Sequence, residues 1–243
     1  MSMIFSLFFT IFYQPLFNLL VWLYNVLPGH DLGLAIIALT VLIKLVLYPL
    51  TVPALRSQRA LQSLQPKIDA LKAEHKDNKE AFAAAVMKLY KEEKVNPLSS
   101  CLPILLQFPF LIALYHVFQD GLAQHTLTAL YPFVSNPGAL NPISLGLFNL
   151  AKPNLVLAVL AGGAQFIQTR MLMNHRPPMA TKTPGGADEN MMAMMNKQML
   201  YVMPLMTIFA GAIFPSGLPL YWLVNALISA LQQHLVFRKK PIA

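Results

Sequence analysis

The chemically most exceptional residue is Lys44, a cation set between Thr40 and Tyr48 in an otherwise uncharged apolar run, residues 32–55. A charge at the centre of a membrane helix costs about 2.5–3.5 kcal/mol on insertion scales, and such a group faces protein or water. Lys44 lies twelve residues from Arg56, the next cation, too deep for easy snorkelling to the surface. Further polar groups interrupt later apolar runs: Gln107, then Gln165 and Gln168, then Asn225, Ser229, Gln232 and Gln233. Any one of these can simply hydrogen-bond helix to helix. Together with a lysine that has no acid in any of the apolar runs, they point to a shared hydrophilic groove filled by water. The missing carboxylates argue against a proton- or cation-coupled pump. Catalysis has no visible machinery. His30, His75, His116, His125, His175 and His234 show no ligand spacing, and Ser99, Ser100 and Cys101 form no hydrolase motif. With one cysteine, an internal disulfide is impossible. No nucleotide-binding loop occurs, so neither an enzyme nor a cofactor nor a bound metal is expected.

The elements that carry these groups follow from composition. The 243 residues are 56% hydrophobic and 12% charged, half the charge of an average soluble domain, which excludes a soluble enzyme and a nucleic-acid-binding module. Spans need about 20 apolar residues, and five segments qualify: about 32–53, 97–118, 153–173, 198–214 and 218–237. The fourth is short for a bilayer. Of the eighteen Lys and Arg residues, nine fall in 54–96, four in 170–197 and three in the tail; Lys152 alone falls on the opposite side and Lys44 within a span. That asymmetry puts the N-terminus outside and the C-terminus in the cytoplasm. The excess of positive charge, +8 overall, therefore reports orientation more than nucleic-acid binding.

Residues 1–30 read as a helix lying along the outer interface, with Tyr13, Trp22 and Tyr24 at headgroup depth; a sixth span is the competing reading. Gln14, Pro15, Asn18 and Asn25 interrupt the apolar run, and no basic residue is present to hold a cytoplasmic N-terminus. A signal peptide would show a basic start and an A-x-A site, and neither is visible. Residues 31–53 form the first span. Residues 54–96 carry apolar seams at Leu61, Leu64, Ile68 and Leu71 and at Phe82, Val86 and Leu89, the spacing of two helices turning at Asp77-Asn78. This is a cytoplasmic helical hairpin, with partner docking favoured over a solvated spacer. Residues 97–240 supply the other four spans. Met191, Met192, Met194, Met195, Met199, Met203 and Met206 crowd the start of the fourth, as adaptable contact surface or as core filler.

Motifs in order along the chain carry a resemblance: Tyr48-Pro49-Leu50-Thr51, Leu64-Gln65-Pro66-Lys67-Ile68, Leu89-Tyr90-Lys91, Lys94-Val95-Asn96-Pro97-Leu98, Cys101-Leu102-Pro103, Gln107-Phe108-Pro109, Ala113-Leu114-Tyr115, Phe214-Pro215-Ser216-Gly217-Leu218 and Leu220-Tyr221-Trp222, followed by Asn225 and Gln232-Gln233. The sequence resembles the YidC/Oxa/Alb family of membrane protein insertases in a short bacterial form, over about residues 12–240. The resemblance implies an all-α membrane protein in the bacterial inner membrane, with five helices around a groove open to the cytoplasm and lipid. It places Lys44 where the family has a groove arginine, with Thr40, Gln107, Gln165, Asn225 and Ser229 as further groove residues. Phe108, Leu111, Tyr221 and Trp222 would form the slide for a client helix; Thr40 and Gln107 also fall at client-contact positions. Nascent membrane proteins and the bilayer are the implied partners, with the ribosome, the signal recognition particle receptor and the Sec translocon as further candidates, and no direct contact with nucleic acid. Departures are the lysine, which unlike arginine can lose its proton, and a short tail after Phe237 that argues against a tail-based ribosome contact. No large extracytoplasmic domain and no further anchor helix are expected. The rival classes are a small-solute or anion transporter or channel, for which an internal repeat or interrupted helices would be the sign, and a structural scaffold.

Overall fold

A computed structural model describes residues 3–75, 78–96, 102–122, 129–173 and 198–238. Cys101, Asp77, Met191, Met192, Met194, Met195 and the tail beyond Arg238 lie outside the described residues. Helices dominate: α1 (Met3–Phe8), a π-helical turn Phe9–Tyr13, α2 (Gln14–Val26), α3 (Leu32–Ser63), α4 (Gln65–Glu74), α5 (Lys79–Glu92), α6 (Leu102–Leu122), α7 (Leu155–Met173), a second π-helical turn Gln198–Val202, α8 (Met203–Gly211) and α9 (Gly217–Arg238). Between α6 and α7 a two-stranded antiparallel hairpin pairs β1 (Ile143–Ser144) with β2 (Phe148–Asn149). The end of the molecule bearing this segment is the loop face; the opposite end, bearing α4 and α5, is the hairpin face.

Local chemistry explains several boundaries. Asp31, Asn78 and Asn154 cap α3, α5 and α7, each side-chain oxygen accepting from a backbone N–H of the first turn at 3.0–3.1 Å. Both π-helical turns end two residues before a proline, Pro15 and Pro204. A proline brings no N–H and its ring pushes against the carbonyl four residues back, so the preceding turn opens into a wider ring. The helix α3 runs on through Pro49 and Pro53 to Ser63, past the boundary at 53 that the hydropathy suggests. At 32 residues it is about 48 Å long, and a hydrocarbon core is about 30 Å thick.

Four helices among the described residues are long and apolar enough to cross a membrane: Ser6–Val26, Leu32–Ser63, Leu155–Met173 and Gly217–Arg238; Gln198–Gly211 is apolar but shorter. The first of these is the segment that the sequence reading lays along the interface. Its polar side chains face the loop segment. Asn18 donates to the Ala129 carbonyl (2.9 Å) and accepts from the Tyr131 N–H (2.6 Å), Asn25 donates to the Ser135 carbonyl (2.7 Å), and the Tyr24 hydroxyl accepts from the Asn141 N–H (3.0 Å). Its other end reaches α6, where Phe12 meets Phe110 edge to face at 5.5 Å.

The apolar core is concentrated toward the loop face. Phe17, Leu20 and Val21 of α2, Ile36 and Leu39 of α3, Leu114 and Val117 of α6, Leu150 and Tyr221 of α9 are fully or almost fully buried there. Toward the hairpin face only a small cluster, Leu55, Leu172 and Phe237, continues the apolar packing. Along α9 between these levels the side chains of Ser229, Gln232 and Gln233 are buried and polar. The α7–α8 contact is close because its residues are small. A Cβ on Gly162 would fall 2.4 Å from Ile208 and 2.9 Å from the Pro204 carbonyl, and one on Gly211 would fall 2.9 Å from Ala158, the close backbone approach that small residues permit in membranes. At the hairpin face, Leu64 and Ile68 are buried, and Lys67 forms an ion pair with Glu93 that ties α4 to the end of α5.

Candidate functional site

Lys44 stands on the fourth turn of α3, about 18 Å from the loop-face end of that helix. It is half-buried, and its Nζ donates to Ser229 Oγ of α9 at 2.8 Å. Ser229 in turn donates to the Asn225 carbonyl one turn earlier, at 2.6 Å. No carboxylate lies within ion-pair distance of Lys44 among the described residues. The one acid within the long apolar helices is Asp120, near the loop-face end of α6.

From Lys44 a polar seam descends between α3 and α9 toward the hairpin face. The helices run in the same direction, so their residues meet in the same order. Gln232 donates to Thr51 Oγ1 at 2.6 Å. Below it Arg59 donates to the Phe237 carbonyl at 2.7 Å, and its guanidinium lies 5.5 Å from the Phe237 ring centre. Here a cation meets the carbonyls of a helix C-terminus, where the dipole favours it. Three buried amide oxygens, those of Gln62, Asn225 and Gln233, have no hydrogen-bond partner among the described residues. Three amide oxygens on α3 and α9, with one amine, make a hydrophilic face inside an apolar chain.

The remaining expected groove residues are placed less uniformly. Gln107 of α6 donates to the Tyr221 hydroxyl of α9, which joins a third helix to the α3–α9 pair. Thr40 is fully buried, and its hydroxyl donates to the Ile36 carbonyl of its own helix at 2.7 Å. Gln165 of α7 instead accepts from the Thr207 hydroxyl of α8, a helix–helix contact that no hydrogen bond links to Lys44. Of the four client-slide residues, Phe108 is 60% exposed and Leu111 and Trp222 are partly exposed, whereas Tyr221 is buried. Tyr221 therefore presents only its hydroxyl toward the polar face, through Gln107. Among the described residues no three His, Cys, Asp or Glu side chains come together as a metal site.

Residues 22–242 match the family described as 60Kd inner membrane protein. The chain belongs to this family, the YidC/Oxa/Alb insertases. A membrane protein insertase YidC of Fusobacterium nucleatum subsp. nucleatum is 33% identical over 229 residues, which cover 93% of this chain and 97% of that protein. A membrane protein insertase YidC of Francisella tularensis subsp. novicida is 38% identical over 206 residues, 85% of this chain but 32% of that longer protein. The same figures hold for the protein of that name from Francisella tularensis subsp. tularensis. The shared part is thus an all-α, multi-pass membrane unit.

Two features of this family member escaped the sequence reading. One is Arg59, counted there only as a positive charge; its place nearly two helix turns beyond a span was the available signal. The other is Asp31. It caps α3 through Leu34 and also accepts from the Ser144 hydroxyl at 2.7 Å and the Leu145 N–H at 2.6 Å. Burial raises the Asp31 pKa, but the bonds from Leu145, Ser144, Leu34 and Gly33 outweigh it and hold the carboxyl below its ordinary value.

Proposed function

We propose that this chain is a membrane protein insertase that takes apolar segments of nascent membrane proteins from the cytoplasm into the bilayer along the α3–α9 seam. The observation that carries the reading is the seam itself: a half-buried lysine with a hydroxyl partner, and on the same two helices three buried amide oxygens without a partner among the described residues. Each such oxygen costs about 1–3 kcal/mol if left dry, which favours a hydrated seam. The apolar core toward the loop face closes the molecule on that side.

The sixteen-to-one asymmetry of Lys and Arg supports a cytoplasmic hairpin face and an outer loop face. In that orientation α1 and α2 lie against the outer loop segment, α4 and α5 form the cytoplasmic hairpin, and five spans run between: α3, α6, α7, the Gln198–Gly211 segment and α9. The location is the inner membrane of a bacterium, with the N-terminus outside and the C-terminus inside.

The physical task is moving a client's short polar tail across hydrocarbon, where each unsatisfied peptide group costs several kcal/mol. A wet seam from the cytoplasmic face up to Lys44 leaves only the outer part of that path dry. The Lys44 ammonium attracts an acidic tail to the head of the seam. Phe108, Leu111 and Trp222 offer an apolar face on which the client helix passes into lipid. Burial of that helix drives the step, so no nucleotide, metal or catalytic turnover takes part. A transporter or channel reading is not favoured by the relatives, which are named as insertases. Photocrosslinking from positions 107 and 222 during synthesis of a small membrane protein tests the proposal. Adducts to the client's apolar segment are expected at both. Their absence, with adducts at lipid-facing control positions of α7, overturns it.

A further inference from the structure

The segment between α6 and α7 presents apolar side chains where an aqueous loop would present charge. From Gly121 to Ala151 there is no Asp, Glu, Lys or Arg; an average domain carries roughly eight in such a length. Within it Phe133 is 79% exposed, Leu145 61% and Leu147 77%. The two leucines flank the tip of the β1–β2 hairpin. The Leu147 N–H donates to the Ser144 carbonyl at 3.0 Å, closing a four-residue turn. Both central residues have positive φ, Leu145 at 52° and Gly146 at 68°, the backbone pattern of a type I′ turn. Asn, Asp or Gly ordinarily fills the first of these positions, and a bulky side chain there is strained. The strain is held from outside the turn, because Asp31 accepts the Leu145 N–H at 2.6 Å and the Ser144 hydroxyl at 2.7 Å. A leucine held in a conformation that suits glycine, with its side chain exposed, directs attention to what that side chain touches.

Its position says what that is. Asp31 is the N-cap of the spanning helix α3, so the turn sits at the level where α3 enters the membrane. The helix ends at this loop face also expose apolar side chains: Val26 at the end of α2 and Leu155 and Val156 at the start of α7. We propose that the Leu145–Leu147 turn, with Phe133, is a membrane anchor that inserts into the headgroup–acyl boundary of the bilayer, the outer leaflet in the orientation argued above. The ligand is the lipid surface itself, and the anchor needs no lipid of special headgroup. Through Asp31 it fixes the depth of α3, and hence of Lys44, relative to the bilayer. This goes beyond the insertase reading and does not depend on it.

The test uses the full chain in nanodiscs, where both membrane faces are accessible, with Cys101→Ser as background. Leu147→Cys carries an environment-sensitive fluorophore; Lys88→Cys on α5, exposed in the hairpin, is the water-exposed reference. Quenching at 147 by aqueous iodide is expected to be several-fold weaker than at 88. Lipids spin-labelled high on the acyl chain should quench 147 more strongly than lipids labelled near the chain end. Adding Leu145→Lys should raise iodide access at 147 several-fold while the elution volume of the protein stays unchanged. Iodide quenching at 147 equal to that at 88 overturns the proposal by placing the turn in water. Shielding from iodide without quenching by spin-labelled lipid also overturns it, since a protein, including a second copy of this chain, then covers the turn. No response to Leu145→Lys overturns the anchor role of the leucine.

Discussion

Lys44 and Asp31 are opposite charges on one helix, and the two environments lead to different expectations. Lys44 has one hydroxyl partner and no acid, which leaves its field directed into the seam. Lys44→Arg is expected to retain insertion, and Lys44→Ala to impair it for clients with acidic outer tails. An attraction of about 1 kcal/mol, that of a unit pair at about 4 Å in water, corresponds to roughly a fivefold bias. Protease protection of matched clients that differ only in tail charge measures this; equal loss for acidic and neutral tails would make Lys44 a structural residue. Asp31 accepts hydrogen bonds from Leu34, Ser144 and Leu145 and titrates below its ordinary value of 3.8. Since its folded pKa lies below the unfolded one, its contribution to stability is full at neutral pH and is lost as pH falls through the folded value. Asp31→Asn weakens these hydrogen bonds and should cost about 1–3 kcal/mol at pH 7, and thermal melts of variant and wild type in detergent should show that difference shrinking as the pH falls into the acid range. Lys44 was legible in the sequence because a cation in an acid-free apolar run is rare. Asp31 was not, because two of these partners lie 113 and 114 residues away and nothing in the local pattern marks Ser144 or Leu145.

Helices were legible where the apolar period was long, and their ends were not. Pro49 and Pro53 coincide with the loss of hydropathy after residue 53, yet α3 continues to Ser63. Packing against α9 through Thr51–Gln232 and Arg59–Phe237 holds the helix beyond the prolines, and neither contact is visible from local sequence. The pair α7–α8 depends on the reverse property, the absence of side-chain volume. Gly162→Val is expected to force Ile208 and the Pro204 carbonyl apart and to destabilise the protein by about 1–3 kcal/mol, whereas Gly163→Val, whose Cβ meets nothing within 4 Å, should be nearly neutral apart from propensity. Melting of the two variants in the same detergent separates packing from the generic effect of adding a β-branched residue to a helix. Gly33 makes the same point at the loop face, since a Cβ there would sit 2.0 Å from Ser144 Oγ. Gly33→Ala should loosen the β1–β2 hairpin and lower stability, by an amount similar to that of Asp31→Asn; double-mutant additivity would show that the two act independently, and non-additivity that they hold one latch.

At the scale of the whole molecule, the burial pattern and the charge pattern describe the same axis. Apolar core fills the loop-face half, polar side chains run down the other half, and among the described residues the basic side chains of α4 and α5, with Arg170 and Arg238, lie toward that polar end. A membrane unit that must admit a polar tail from one side only needs this asymmetry: water access on the entry side and a dry seal on the exit side. The order of the described helices requires the ends of α3, α7 and α9 at Ser63, Met173 and Arg238 to share one side, because each of these three helices starts at the loop face. Sequence placed that side in the cytoplasm by counting Lys and Arg, which is an argument about insertion energetics and not about packing. Cysteine substitutions in a Cys101→Ser background at Asn78, Ser135 and Lys240 test it directly in intact cells. A membrane-impermeant maleimide added outside is expected to modify position 135 and to leave 78 and 240 unmodified until the membrane is opened. Modification of 78 from outside would reverse the orientation, move the wet seam to the outer face, and leave a nascent chain in the cytoplasm facing the dry, closed half of the molecule; the insertase mechanism along the α3–α9 seam would then have no entrance.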